Sequence, residues 1–200
     1  LLNPMNHMAR AYLMAGKHDQ ALALLEEVFK LNQANVGPDH PHTLATMGNL
    51  AMVYGQLGRL EQALALREEH LRLTRVNLGP DHPATLASMV NLGAGVYQQM
   101  GKYDQALALL NEALTLEKVR LGPDHPSTLT SMTALAGLYW DAGKSDQALP
   151  LLQETVRLCE ANLGPDHPRT LGTMGILERV LAGSQNFSAA DALSEERLAR

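Results

Sequence analysis

The sequence predicts an all-α solenoid of antiparallel helix pairs stacked at a fixed pitch, and three observations carry this. Gly-Pro-Asp-His-Pro occurs four times, at Gly37–Pro41, Gly79–Pro83, Gly122–Pro126 and Gly164–Pro168, at intervals of 42, 43 and 42 residues. A Thr-Leu pair follows each copy: Thr43-Leu44, Thr85-Leu86, Thr128-Leu129 and Thr170-Leu171. A second landmark, a glycine followed by Asp/Glu-Gln-Ala-Leu, recurs at the same pitch over Gly16–Leu22, Gly58–Leu64, Gly101–Leu107 and Gly143–Leu149. Between landmarks, apolar residues fall at helical spacing and period-2 alternation is missing. Self-similarity at a period of 20–50 residues marks a repeat array, in which each repeat buries its apolar face against its neighbours.

Each repeat divides into two helices. The first runs from the His-Pro to the mid-repeat glycine. In Thr43 to Leu57, the residues Leu44, Met47, Leu50, Ala51 and Tyr54 share one helix face. The second runs to the next Gly-Pro. In Gln105 to Leu121, Ala106, Leu107, Leu110, Ala113 and Leu114 keep the helical period. The spacing predicts ten helices, over about 4–15, 18–35, 42–57, 60–77, 84–100, 103–120, 127–142, 145–162, 169–183 and 187–199. The last of these reads as an amphipathic cap. Repeats are expected at 1–36, 37–78, 79–121 and 122–163, with a degenerate capping repeat at 164–200, in one array.

The punctuation has physical reasons. Gly37, Gly79, Gly122 and Gly164 stand where a helix ends, and are expected in the left-handed conformation of a helix C-terminus. The proline after each forbids continuation. The aspartate is expected to accept bonds from the free amides of the next helix, and the second proline suits a first helical turn. Gly16, Gly58, Gly101 and Gly143 close the first helices. The next helix follows within two or three residues, which forces an antiparallel pair.

Composition excludes several functions. The chain has 200 residues, 46% hydrophobic and 18% charged, with a net charge of −5. That is a globular composition with enough length to bury a core. A mildly acidic chain without a basic cluster suits neither nucleic acid nor an anionic membrane. No apolar run approaches a membrane span, and no signal-peptide pattern opens the sequence. Because it begins at Leu1, the sequence reads as a piece of a longer chain. The single cysteine, Cys159, excludes an internal disulfide framework, and a cytoplasmic setting is expected.

Small, aromatic, Gly and Ala positions recur as Ala9/Tyr12/Gly16/Ala21, Ala51/Tyr54/Gly58/Ala63 and Ala136/Tyr139/Gly143/Ala148, with Gly93/Tyr97/Gly101/Ala106 in the third repeat. This pattern resembles the tetratricopeptide repeat, and the long second helix with its Leu-Gly-Pro-Asp-His-Pro linker resembles the kinesin-light-chain-like subclass. The resemblance implies a right-handed superhelix whose first helices line a concave groove. It also implies a protein- or peptide-binding scaffold rather than an enzyme. Two alternatives stay open: an intramolecular sensor arm of a larger nucleotide-switch protein, and a scaffold that self-associates end to end.

Chemistry-bearing clusters are absent from the sequence, so no catalytic residue, metal or cofactor is expected. His40, His82, His125 and His167 recur with Asp39, Asp81, Asp124 and Asp166. Equivalent residues of successive repeats stand about 10 Å apart, the distance between packed helices, and cannot share one ion. Cys159 reads as a packed thiol, and Met5, Met47, Met89, Met132 and Met174 as core. Helical geometry and the resemblance together give the groove candidates. They are Asn6, His7 and Arg10, then Asn49, Met52 and Gln56, then Asn91 and Gln98, then Thr133 and Trp140, and finally Arg179. Amide side chains offer a donor and an acceptor to an extended peptide backbone.

One feature breaks the pattern. Asn91 to Tyr97 is six steps where Asn49 to Tyr54 is five, so the third repeat carries an extra residue within Gly93-Ala94-Gly95. Such an insertion is expected to be absorbed as a π-bulge. The preceding second helix places Arg67 and His70 where sibling repeats have Leu110/Ala113 and Leu152/Thr155. Large polar side chains are expected to face the expanded helix, with a polar pocket between them.

Overall fold

The computed structural model describes residues 2–184, and among them there are helices and no strand. The chain divides into two compact units, Leu1–Gly101 and a second beginning at Lys102. The first holds α1 (Leu2–Met14), α2 (His18–Val36), α3 (Pro41–Gln56), α4 (Leu60–Leu78) and α5 (Pro83–Val90), the last running on as a π-helix over Asn91–Tyr97. The second holds α6 (Tyr103–Arg120), α7 (Pro126–Asp141), α8 (Ser145–Leu163) and α9 (Pro168–Gly183). In each unit, every helix packs on the next in sequence. The amphipathic cap expected at 187–199 lies outside the described residues.

The turn inside each pair follows from its glycine. Gly58 sits at φ 70°, its amide donates to Gly55 O at 3.1 Å, and the Arg59 amide reaches back to Tyr54 O at 2.8 Å. This is the Schellman pairing, which only a left-handed residue permits cheaply. The same two bonds recur at Gly16-Lys17 and Gly143-Lys144.

The turn between pairs differs from expectation in two ways. Gly37 has φ 98° and ψ 165°, Gly79 99° and 161°, and Gly164 92° and 160°. That is an extended, mirror-image conformation essentially closed to side-chain residues, not the left-handed helical one. It turns the chain out of the helix without a further coiled residue. The cap of the following helix is the histidine, not the aspartate. Nδ1 of His40, His82, His125 and His167 accepts the amide two residues on, at 3.1–3.2 Å. The histidine stands directly before the proline at the first helical position, which places its ring over the free amides. Thr43, Thr85, Thr128 and Thr170 then donate their hydroxyls to the carbonyls of Gly37, Gly79, Gly122 and Gly164, at 2.6–2.8 Å.

Packing repeats as the sequence does. Ala9, Ala21, Ala51, Ala63, Ala136 and Ala148 are at most 1% exposed, so each pair meets at its smallest side chains. Met47, Met89, Met132 and Met174 are core, whereas Met5, expected with them, is only half-buried on α1. Tyr54 donates its hydroxyl to Glu26 at 2.7 Å and Tyr97 to Glu68 at 3.0 Å, while Tyr139 bonds Asn111 at 3.3 Å. Each bond ties a first helix to the second helix of the repeat before it. Burial, then the bond to Glu26, push the Tyr54 phenol up to about 12.

A buried polar pair occupies the same place in every inter-repeat contact: Asn32 with Thr46, Thr74 with Ser88, Glu117 with Ser131, and Cys159 with Thr173. All eight side chains are at most 2% exposed. Thr46, Ser88 and Thr173 donate to the carbonyl four residues back in their own helix, which leaves their oxygens to accept. Asn32 suits this, since its amide donates to Thr46 at 3.0 Å. Glu117 suits it least: one carboxyl oxygen is buried without a partner, and burial raises its pKa. Burial likewise raises the Cys159 thiol, which is inert packing.

Two outcomes follow. His125→Ala removes a cap and should lower stability by about 0.5–2 kcal/mol, while His125→Asn retains most of it, checked by denaturant melts. For Glu117, a folded-state pKa above the unfolded one means that stability is present at low pH and lost as pH rises through the folded value. Glu117→Gln supplies the amide that Asn32 uses and should remove that loss. At pH 8 it should gain about 1–3 kcal/mol, the usual penalty of a buried unsatisfied group, with little change at pH 4. Parallel melting curves across that range would show that Glu117 does not titrate there.

Candidate functional site

The extra residue of the third repeat is taken up by the π-helix Asn91–Tyr97. The Gln98 amide donates to Gly93 O, five residues back, and the normal four-residue pattern resumes with Met100 to Val96. The bulge preserves burial on both sides of itself. Leu92 keeps the core position of Leu50, and Val96, one residue further on, keeps that of Val53. Without the widened turn, everything after Gly95 would rotate by about 100° off the core face.

Of the two polar residues of α4 expected to face this segment, Arg67 lines a cavity beside it, whereas His70 meets Ser88 of α5, ahead of the bulge. His70 Nδ1 lies 2.9 Å from Ser88 Oγ. Because Ser88 donates to Ala84 O at 2.7 Å, the imidazole is the donor, which fixes its proton on Nδ1. Burial, then the Arg67 charge, lower the His70 pKa. Sibling residues at the Arg67 position, Leu25, Leu110 and Leu152, are core, at most 2% exposed. Arg67 instead is half-buried, with its guanidinium beside α3. A Cβ at Gly48 would stand 3.8 Å from its Nη1, an ordinary contact distance.

The guanidinium reaches a cavity of about 280 Å³ between α3 and the π-helix. Met52, Gly55 and Gln56 form one wall, Asn91, Gly95 and Gln99 the other, and Arg67 completes the lining. Three of the expected groove residues, Met52, Gln56 and Asn91, therefore meet at one place. The cavity at the anomaly is thus lined in part by residues expected to face a groove. A Cβ at Gly95 would meet nothing within 4 Å.

The other candidates are distributed differently. Asn49 is exposed on α3 and does not line the cavity, and Gln98 is half-buried on the far side of the bulge. The side chains of Asn6, His7 and Arg10 lie outside the described residues. In the second unit, Thr133 borders a wide, shallow hollow of about 590 Å³ between α7 and α9, with Ala134, Gly172 and Ile176. Its hydroxyl is bonded to Leu129 O at 2.9 Å. Arg169, at the edge of that hollow, donates to the Pro126 carbonyl. Trp140 is half-buried against the core of the unit. A Cβ at Gly183 would lie 2.6 Å from its Cζ2, so the ring covers that glycine of α9 instead of standing free. Arg179 is exposed on α9. No group of three His, Cys, Asp or Glu side chains able to hold a metal occurs among the described residues, and no helix there is long and apolar enough to cross a membrane.

If the bulge and the two polar side chains create one another's space, they are energetically coupled. Deleting Ala94 alone presses a regular helix on Arg67 and His70, an overpacking of about 1–3 kcal/mol. Arg67→Leu with His70→Ala alone leaves a gap of similar consequence. All three changes together should recover about 0.5–3 kcal/mol of the summed loss. Additive shifts in denaturant midpoint would separate the two features.

The tetratricopeptide-repeat sequence profile matches residues 1–75, 49–116, 94–161 and 135–200, which together span the chain. No curated protein matches it. Among solved structures it is similar to the nearly identical TPR-like repeats of a protein described as a Podosopora anserina kinesin light chain. Identity is 30% over 99% of this chain and 93% of that one, with a TM-score of 0.85, and a singly substituted form of the same protein gives 29%, the same coverage and 0.87. BtubC (BKLC) from P. vanneervenii shares the fold at 20% identity and a TM-score of 0.82, over 98% of this chain and 78% of that one. The chain belongs to the tetratricopeptide-repeat family, in its kinesin-light-chain-like form.

Proposed function

We propose that this chain holds an extended segment of another protein against its first helices, with the cavity beside Asn91 as the principal point of contact. The family fold generally serves as a protein-interaction scaffold. The observation that carries the reading is the convergence of Met52, Gln56, Asn91 and Gln99 on a cavity that no described side chain fills. Three amides and a thioether suit a peptide: the amides pair with backbone N–H and C=O, and the methionine adapts to an apolar side chain. Asn49, one turn before Met52 on the same exposed face, extends the polar strip along α3. A segment lying there keeps its own backbone hydrogen-bonded while crossing from one helix to the next.

The test is selection of binders from a displayed library of random twelve-residue peptides, followed by titration. Asn49→Ala with Asn91→Ala should weaken a selected peptide by about 1–3 kcal/mol, two net hydrogen bonds, and leave the melting temperature nearly unchanged. Gly95→Leu should block the cavity outright, because its side chain enters open space. Selected peptides that bind both variants as they bind the parent would move the contact elsewhere.

A further inference from the structure

The cavity has a charge that the fold does not use. Among the described residues no carboxylate or other hydrogen-bond partner is paired with Arg67, and no acidic residue lines the cavity. The two carboxylates beside it in sequence are engaged elsewhere: Glu68 accepts from the Tyr97 hydroxyl at 3.0 Å, and Glu69 holds Arg72 at 2.7 Å. His70, the next polar group on α4, is a neutral donor committed to Ser88. A half-buried guanidinium in place of a core leucine has lost part of its hydration, and burial lowers its pKa. It stays charged all the same, since arginine does not give up its proton in proteins. A desolvated cation without a partner is unfavourable, and a cation facing an open cavity can be satisfied from outside.

We infer that Arg67 and the amides of Gln56, Asn91 and Gln99 form a subsite for one acidic side chain, Asp or Glu, of the extended segment bound along the first helices. The inference rests on the peptide-binding reading above. The charge chooses the class. A single guanidinium, with no second cation in the lining, balances one carboxylate and not the near double charge of a phosphate. The planar fork of arginine accepts a carboxylate through two parallel hydrogen bonds, and side-chain amides can donate to its remaining lone pairs. Position chooses the source. Both walls continue beyond the cavity as helices of one unit, so a chain lying on them passes over the subsite and presents a side chain to it. The bulge borders the opening: its extra residue falls at Ala94-Gly95, and Gly95 lines the cavity where a Cβ would meet nothing within 4 Å.

The experiment uses a displayed library of random twelve-residue peptides joined to the carrier at their C-termini, so that no terminal carboxylate is offered. The whole chain is compared with Arg67→Leu, which restores the residue that sibling repeats carry in the core, and with Arg67→Gln, which keeps length and polarity. Circular dichroism confirms the fold of each. The parent should enrich peptides with Asp or Glu at one fixed position. Exchanging that residue for Asn or Gln should weaken binding about ten- to a hundred-fold, the scale of a charge-assisted pair out of bulk water. Both variants should still bind, without distinguishing the acid from its amide. Enrichment of peptides with no acidic position, or a preference that survives in both variants, would overturn the subsite and leave the peptide groove standing. Enrichment of no peptide at all would remove the groove and the subsite together. An acid preference that appears only with synthetic peptides bearing free C-termini would assign the cavity to a chain end and overturn the side-chain assignment.

Discussion

A threonine hydroxyl bonded to a glycine carbonyl six residues earlier closes every turn between helix pairs, at 2.6–2.8 Å in all four copies. The rest of each repeat depends on it. The glycine has left the helix in a conformation that side chains cannot follow, the first proline has forbidden return, and the histidine has capped the next helix. What remains free at that point is the direction of the new helix. The threonine, buried in the first turn of that helix, fixes it by tying helix and departing glycine into one ring. With the direction fixed, Leu44, Met47 and Leu50 and their equivalents always meet the preceding second helix at the same height. A repeat array is stable only if these contacts superpose from one repeat to the next, because each repeat touches little else.

The buried polar slot shows how far that frame tolerates substitution. An amide, a hydroxyl, a carboxyl and a thiol occupy one position in four successive contacts, each against a serine or threonine. A slot of constant geometry can hold any short side chain able to donate, or willing to go without a bond. The carboxyl fits worst in its charged form. The slot therefore works as structure, and its variation is no sign of chemistry, although taken singly Glu117 or Cys159 would attract a functional reading.

Most of the fold was legible because its signals are local and repeated. Gly58, Ala63, Tyr54 and their copies mark the pair turn and its packing four times over, and the helices begin and end within a residue or two of where the pattern put them. The turn between pairs was read in place but not in conformation. The proline after each glycine was the signal for an extended rather than a helical conformation, since a residue before proline is held at extended ψ, but nothing in Gly-Pro-Asp-His-Pro decides whether Asp or His meets the free amides. That choice depends on the proline ring holding the histidine at the helix entrance. The buried slot went unread, though a hydroxyl residue three places after each Thr-Leu threonine, Thr46, Ser88, Ser131 and Thr173, was its signal in the sequence. Trp140 shows the opposite limit, since an indole at a groove position is indistinguishable in sequence from one that covers a neighbouring glycine.

The candidate site was legible as two separate expectations, groove amides and an irregular junction, and residues of both line one cavity. The reason is geometric. In sibling repeats the position of Arg67 holds a leucine, Leu25, Leu110 or Leu152, that ends in the core and brings no charge to the surface. Lengthening one first helix by a residue moves its wall outward while the core positions on both sides of the bulge stay seated. A cavity lies at that junction, and a side chain longer than leucine can reach it from α4. Arginine in place of leucine is long enough to line the cavity and brings a charge to it. An array of near-identical repeats presents a uniform surface that recognises nothing in particular, so discrimination has to enter where one repeat departs from its siblings. Here the departure, the cation and the amides coincide within a single cavity of about 280 Å³.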